Sequence, residues 1–120
     1  MPKKTIGLIE KVRVYGNGES IEAEALVDTG AKMTSIDIKL AGEAKLGPVV
    51  RMYKTRAPIT KDVDHRPVVT VTIEMRGKKF AMEANLNDRS HMKYPVLIGR
   101  NLLYGNFVVD VSKSPKIRRQ

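Results

Sequence analysis

The stretch best suited to do chemistry is EALVDTGAKMTS, residues 24–35, in which apolar residues lead into Asp28, Thr29 and Gly30. A carboxylate that follows an apolar strand lies at the edge of the core, where it is partly removed from water. Asp and Gly are also favoured in ordinary turns, so the triplet alone fits a simple turn equally well.

A second motif, VLIGRNLL, stands roughly seventy residues further on. Its apolar residues Leu97 and Ile98 lead to Gly99, and Arg100 and Asn101 then open a short apolar segment. Two motifs in this order are much more specific than one, and together they favour a catalytic site over a turn.

The pair ALVDTGA and VLIGRNLL resembles the retropepsins, the single-domain aspartic proteases of retroviral type. Over roughly residues 8–111 the chain also resembles the intracellular family known as ATP-dependent zinc proteases. The segments that carry this resemblance include HRPVV and LNDRSHMKYPVLIGRNLL. That family has a retropepsin-like fold, and some members are associated with ribosomal-protein glutamate ligases.

The resemblance implies that Asp28 is catalytic and that it acts with a second aspartate, the two sharing one proton. The chain has one Asp-Thr-Gly, so the second copy must come from another subunit of a two-fold homodimer. Thr29 would join the two loops, and Gly30 would let the backbone approach substrate. Ala31 would line the substrate site without offering a hydroxyl to the carboxylate. Leu97, Ile98, Gly99 and Asn101 would support the loop from below.

Two departures from the retroviral pattern concern the substrate groove. Retroviral members usually carry an acid where this chain has Lys32, so Arg100 loses that partner. Lys32 either points to solvent or joins Arg100 in a groove that prefers acidic peptides, as a net charge of +9 also suggests. Residues 54–66, KTRAPITKDVDHR, stand where the retroviral flap is glycine-rich, but they contain no glycine. We expect a loop or hairpin tip there.

The elements that must position these residues alternate with a period of two, as strands do. We expect strands at about residues 5–15 and in SIEAEALV, PVVRMY, VVTVTIEM, KFAMEANL, YPVLIG and FVVDV, with hairpin turns at YGNGES and MRGKK. RNLLYG is the one helical candidate near the C-terminus. The prediction is an all-β fold: a retropepsin-like closed antiparallel barrel with one short C-terminal helix, assembled as a homodimer.

Composition limits the partners and cofactors. At 120 residues we expect one domain, 1–120, with a basic tail from about residue 112. There is no signal peptide or long apolar run, so we expect a cytoplasmic protein with no membrane partner. With 0 Cys, no H-E-x-x-H and isolated His65 and His91, we predict no metal. No phosphate-binding glycine loop indicates ATP, so we predict no cofactor.

Two function hypotheses remain open from the sequence. The first is an aspartic endopeptidase that acts on peptides or proteins, and the alternative is a non-catalytic module of the same fold that binds acidic peptides or ribosomal components. Direct nucleic-acid binding rests on charge alone, since the chain has 4 Tyr, 2 Phe and no Trp for stacking on bases.

Overall fold

A computed structural model describes residues 2–56 and 63–113. In these residues nine strands, two short α-helices and a final 3-10 turn (Val111–Lys113) follow in the order β1 (Lys4–Ile6), β2 (Ile9–Tyr15), β3 (Ile21–Val27), β4 (Ser35–Asp37), α1 (Ile38–Glu43), β5 (Arg51–Arg56), β6 (Val63–Met75), β7 (Lys78–Asn87), β8 (Val96–Ile98), α2 (Arg100–Leu103) and β9 (Phe107–Val109).

Six of the strands form a closed barrel. Their order is β2-β3-β8-β4-β7-β6, and a pairing of β6 with β2 closes the ring. The predicted mostly β fold with a closed barrel is confirmed. Two pairs of neighbouring strands in the ring run parallel: β3 with β8, and β4 with β7. Parallel pairing is possible because β4 and β8 each enter the ring after a loop and not through a hairpin.

The alternation of apolar residues places the core inside the barrel. In β3, Ala25 and Val27 are buried whereas Glu22 and Glu24 are exposed. The apolar face of β6 is also buried, and its residues are Val69, Val71, Ile73 and Met75. The core that these strands share with β2, β4, β7 and β8 supports the loops at the strand ends.

Both predicted hairpins are present. β2 and β3 pair antiparallel around YGNGES, and β6 and β7 pair antiparallel around Arg76 and Gly77. Arg76 has φ 55° and Gly77 has φ 76°, and two consecutive positive φ values are what a two-residue hairpin turn requires.

A third hairpin projects from the barrel. β5 pairs antiparallel with β6 from Arg51 opposite Val68 to Arg56 opposite Val63, so the described part of residues 54–66 consists of two paired strand ends. The tip itself, residues 57–62, lies outside the described residues.

Three parts of the fold were not predicted. The first expected strand is divided at Gly7 and Leu8 into β1 and β2. β4 and α1 are additional elements, and α1 begins where the Asp37 side chain accepts a hydrogen bond from the backbone N–H of Lys39. α2 is the helix expected from RNLLYG, so residues 2–56 and 63–113 contain two short α-helices where one was expected.

The two ends of the described chain meet in a small separate sheet. β1 pairs parallel with β9, with Lys4 opposite Phe107 and Ile6 opposite Val109. Within the described residues, neither helix is long and apolar enough to cross a membrane.

Candidate active site

The loop that carries Asp28 begins where β3 leaves the barrel. The backbone N–H of Asp28 donates to the carbonyl of Ile98 at 2.9 Å, which extends the β3–β8 pairing by one residue. The Asp28 side chain is half-buried, whereas Thr29 and Gly30 after it are exposed. The structure therefore presents the predicted triplet at the end of β3, where its first residue is hydrogen-bonded to β8.

Hydrogen bonds within the triplet fix its conformation. One carboxylate oxygen of Asp28, Oδ1, accepts from the N–H of Gly30 at 2.8 Å, and the Asp28 carbonyl accepts from the N–H of Ala31 at 3.2 Å. A side chain at residue 30 would place its Cβ 3.2 Å from Oδ1. Glycine thus leaves room for the carboxylate in the turn.

The second motif holds this loop from the other side. The N–H groups of Arg100 and Asn101 donate to the carbonyls of Ala31 at 2.8 Å and Lys32 at 3.2 Å. The guanidinium of Arg100 donates to the carbonyl of Thr29 at 3.1 Å. The two motifs that the sequence analysis paired therefore bind each other directly, mostly through backbone groups.

Thr34 and Asn101 make the buried part of this connection. Oδ1 of Asn101 accepts from the N–H of Thr34 at 2.9 Å and from its hydroxyl at 2.8 Å. The N–H of Gly99 donates to that same hydroxyl at 3.1 Å, and the Asn101 amide donates to the carbonyl of Glu83 at 2.7 Å. Thr34 is fully buried, so its bonds to Asn101 and Gly99 are partly shielded from water, whereas the bond between Asn101 and Glu83 is exposed.

The remaining predicted residues are placed as follows. Leu97 is half-buried and Ile98 is fully buried in β8, directly beneath the Asp28 loop. Lys32 and Arg100 are both exposed, and the guanidinium of Arg100 donates to the Thr29 carbonyl. The contact of Lys32 or Arg100 with a substrate stays a prediction.

One charged residue near the site was missed from the sequence. Arg89, in the loop between β7 and β8, is only 5% exposed. Its Nε donates to the carbonyl of Tyr94 at 3.1 Å, and its backbone N–H donates to the Asp37 carboxylate at 2.8 Å. A single arginine in the polar run NDRSHMK gives no sign of burial, because its environment depends on elements distant in sequence.

The electrostatic surroundings of Arg89 connect it with Asp28. Burial lowers the pKa of the Arg89 guanidinium most, and the positive charge of Arg66 lowers it further. The carboxylates of Asp37 and Asp28 act in the opposite direction. Arg89 remains charged, since an arginine cannot be deprotonated in a protein. It is thus a buried cation within electrostatic reach of Asp28.

Potential metal ligands do not cluster in the part of the chain that the structure describes. No group there contains three or more His, Asp or Glu side chains placed to hold an ion. His65 lies on β6 and His91 on the loop before β8, and both are exposed.

An apolar cavity of about 330 Å³ lies beside the Asp28 loop. It is lined by Thr29, by α2 and the turn after it, and by Phe107 and Val109 of β9. Tyr104, which also lines it, is 88% exposed. Thr29 therefore borders an apolar surface patch.

Solved structures similar to this chain share the fold. A Legionella pneumophila protein of unknown function, Lpg0085, has a TM-score of 0.61 at 20% identity, over 92% of this chain and 95% of that one. The simian foamy virus protease has a TM-score of 0.56 at 14% identity, over 78% and 88%. The foamy viral protease–reverse transcriptase has a TM-score of 0.56 at 20% identity, over 78% of this chain and 11% of that longer chain. No curated protein matches the sequence.

A family model described as retropepsin-like aspartic endopeptidase RimB matches residues 39–120. The match covers more than half of the chain and includes the VLIGRNLL motif, although it begins after the Asp28 loop. The retropepsin-like barrel agrees with it. The chain belongs to the RimB-like family of retropepsin-like aspartic endopeptidases.

Proposed function

We propose that the protein is an aspartic endopeptidase of retropepsin type, active as a homodimer in which each subunit supplies one Asp28. Two adjacent carboxylates that share a proton activate water and protonate the peptide carbonyl oxygen in one site. Neither carboxylate alone does both, and the chain has a single Asp-Thr-Gly. The catalytic site is therefore complete only when two chains meet.

The geometry of Asp28 is the observation that carries this proposal. Its backbone is fixed to β8, and Oδ1 is held by the Gly30 N–H. A half-buried carboxylate with one oxygen fixed by its own turn is suited to share a proton with a second carboxylate through its other oxygen, Oδ2.

The surface around Thr29 supports a dimer. Exposed Tyr104 lines the apolar cavity together with Thr29. An exposed apolar patch next to a site that needs a second copy is suited to self-association. In this arrangement Thr29 joins the two loops, Gly30 faces substrate, and the Thr34–Asn101 bonds hold each loop in place.

We also propose a preference for acidic peptides. The net charge of +9 attracts acidic partners over distances longer than contact. Lys32 is exposed next to the Asp28 loop, and Arg100 binds that loop. Ala31 and these two residues are the candidates that would contact substrate.

The proposal is tested with Asp28→Asn, which keeps the size of the side chain and removes its charge. Glutamate-rich, neutral and lysine-rich peptides are each incubated with wild type and with the variant, and the products are identified by mass spectrometry. We expect cleavage by wild type, loss of at least about 1000-fold in kcat for Asp28→Asn, and an unchanged circular dichroism spectrum.

Glu19→Gln is the matched control, because Glu19 is an exposed carboxylate in the turn before β3, at the end of that strand away from Asp28. It should keep wild-type activity. Binding of acidic peptides without cleavage by the wild-type dimer would favour the alternative, a non-catalytic module. Cleavage that survives in Asp28→Asn would place the chemistry elsewhere.

A further inference from the structure

Exposed cations from three distant parts of the chain meet where β1, the β6–β7 turn and the final 3-10 turn come together. Nζ of Lys4 in β1 donates to the carbonyl of Arg76 in the β6–β7 turn at 3.1 Å. Nζ of Lys113, at the end of the 3-10 turn, donates to the carbonyl of Thr5 at 3.3 Å. These two contacts fix Lys4, Arg76 and Lys113 beside one another, and all three are exposed.

Two more exposed lysines adjoin this group. Lys78 begins β7 directly after the turn, and its Nζ lies 5.6 Å from the centre of the Phe80 ring. The Phe80 ring in turn lies 5.6 Å from the ring of Phe107, which is opposite Lys4 in the β1–β9 sheet. Lys3 precedes Lys4 in the chain. We call the five exposed cations the basic rim: Lys3, Lys4, Arg76, Lys78 and Lys113.

The carboxylates close to the basic rim are fewer, and both have partners. Glu10 is 8% exposed and accepts hydrogen bonds from the Arg76 guanidinium and from the N–H of Gly7. Asp110 accepts from the N–H and the hydroxyl of Ser112 at 2.9 and 2.6 Å. Cations therefore outnumber carboxylates here by five to two.

The adjoining outer face of the barrel does not cancel this excess. Residues paired across neighbouring strands share a face. Arg13 of β2 is opposite Glu22 of β3 and Glu74 of β6, and Glu74 is opposite Lys79 of β7. Lys11, two residues before Arg13, is opposite Glu24. The charges on this face are thus balanced, with three cations and three carboxylates: Lys11, Arg13, Lys79, Glu22, Glu24 and Glu74.

The sequence continues the positive charge beyond Lys113. Residues 114–120 lie outside the described chain, and they add three cations, Lys116, Arg118 and Arg119, and no carboxylate side chain. The net charge of +9 is therefore unevenly distributed, and the basic rim and the segment that follows it carry a large part of it.

The make-up of the basic rim favours a partner with many closely spaced negative charges. Protein interfaces centre on aromatic and aliphatic anchors, and a membrane-binding surface needs a broad apolar face beside its cations. The exposed large apolar residues next to the rim are two single valines, Val108 and Val111. Lysine and arginine bind the phosphates of a nucleic acid without such anchors, because the release of counter-ions supplies the free energy.

We infer that the basic rim binds the phosphate backbone of a nucleic acid. The base sequence is not read there, since the rings beside the rim are covered: Phe107 is 9% exposed and Phe80 is half-buried. Contacts to phosphates position a protein without selecting a sequence. The net charge alone only suggested such a partner, whereas the structure gives the charge a location. The inference goes beyond the proposed peptidase function, and neither depends on the other.

The test measures binding of the full chain to a short fluorescently labelled RNA duplex and to a DNA duplex of the same sequence. Fluorescence anisotropy gives the dissociation constant at several salt concentrations. We expect a value of about 1–100 µM at physiological salt, and a slope of log affinity against log salt of about −3 to −5. The two duplexes should bind within about tenfold of each other, because they share the phosphates that the rim contacts.

Two double variants remove different parts of the basic rim. One combines Lys4→Gln with Lys78→Gln, and the other combines Lys3→Gln with Lys113→Gln. Each should weaken binding at least about tenfold at low salt and reduce the steepness of the salt slope by about two, since each removes two phosphate contacts. Circular dichroism checks the fold. The two variants share no residue, so either one tests the inference if the other does not fold.

The matched control combines Lys39→Gln with Lys45→Gln, which gives the same change in net charge. Both lysines are exposed, and they lie at the start and just after the end of α1. The carbonyl of Lys45 accepts from the N–H of Asn17 in the β2–β3 turn, at the far end of β2 from Glu10. This control should change the affinity for either duplex by less than about threefold.

Three results would overturn the inference. The first is that neither duplex binds, and the second is that the control loses as much affinity as the rim variants, which would mean attraction by total charge. The third is that the rim variants lose binding to a glutamate peptide or to anionic lipid vesicles and keep binding to the duplexes. That result would assign the rim to an acidic protein or to a membrane. Each outcome leaves peptide cleavage by Asp28 to its own test.

Discussion

At the residue scale, Gly99 shows how closely the two motifs approach each other. A Cβ at this position would lie 2.6 Å from the carbonyl carbon of Met33, 2.8 Å from its oxygen and 2.9 Å from the N of Thr34. All three are backbone atoms of the Asp28 loop, which cannot move aside as a flexible side chain could. The sequence shows only that a glycine precedes an arginine. The structure shows that this position requires glycine, because a side chain would clash with the backbone of the Asp28 loop.

We therefore predict that Gly99→Ala destabilises the protein by about 2 kcal/mol or more. The measurement is urea unfolding followed by circular dichroism. Gly42→Ala is the control, because a Cβ there meets nothing within 4 Å and Gly42 lies in helix α1, where alanine is favoured. Equal stability of wild type and Gly99→Ala would show that the loop does not need this contact.

At the element scale, the ion pair between Glu10 and Arg76 links β2 to the β6–β7 turn. The Glu10 carboxylate accepts from Arg76 at 2.8 and 3.0 Å and from the N–H of Gly7 at 2.8 Å. Burial raises the pKa of Glu10, but the hydrogen bonds and the charge of Arg76 outweigh burial, so its pKa lies below the ordinary value. Ionised Glu10 is therefore favoured by folding.

Because folding lowers the pKa of Glu10, we predict that the protein loses stability in acid. The contribution of Glu10 is present above its ordinary pKa of 4.5 and is lost as the pH falls through its lower folded value. Thermal unfolding of wild type and Glu10→Gln should differ most near neutral pH and converge in acid. Glu22→Gln, in an exposed pair, should differ little from wild type at any pH. A Glu10→Gln difference that does not change with pH would contradict this account.

The elements also show what the sequence can and cannot predict. Long alternation predicted β3, β6 and β7, and glycine turns predicted their hairpins, because both signals are local. β4 has three residues and forms only because β7 and β8 pair with both of its edges. The pairing of the DTGA and IGRN motifs was predicted from a resemblance. The surroundings of Arg89 were not predicted, since they depend on which elements, distant in sequence, lie next to it.

At the scale of the whole molecule, the account requires that two chains associate through the patch beside Thr29. We predict that Tyr104→Lys weakens the dimer at least about tenfold, because Tyr104 lines that patch, is 88% exposed, and a lysine would place a charge in the interface. The measurement is sedimentation velocity over a range of concentrations.

Assignment of residues 1–120 to a single domain stays a prediction.

Ile38→Lys is the control for the dimer, since Ile38 is another exposed large apolar residue, on α1, and does not line the patch. It should leave the dissociation constant unchanged. If the two lysine variants associate equally well, or if wild type is a monomer at high micromolar concentration, the interface is elsewhere or absent.

The central claim is that each catalytic site needs Asp28 from both subunits, and mixing of subunits tests it most directly. Wild type and Asp28→Asn are combined, allowed to exchange, and assayed for peptide cleavage at constant total protein. If mixed dimers are inactive, activity follows the square of the wild-type fraction and falls to about one quarter in an equal mixture. Activity of about one half would mean that each subunit acts alone, and about three quarters that one Asp28 is sufficient in a dimer; either result would contradict the shared site.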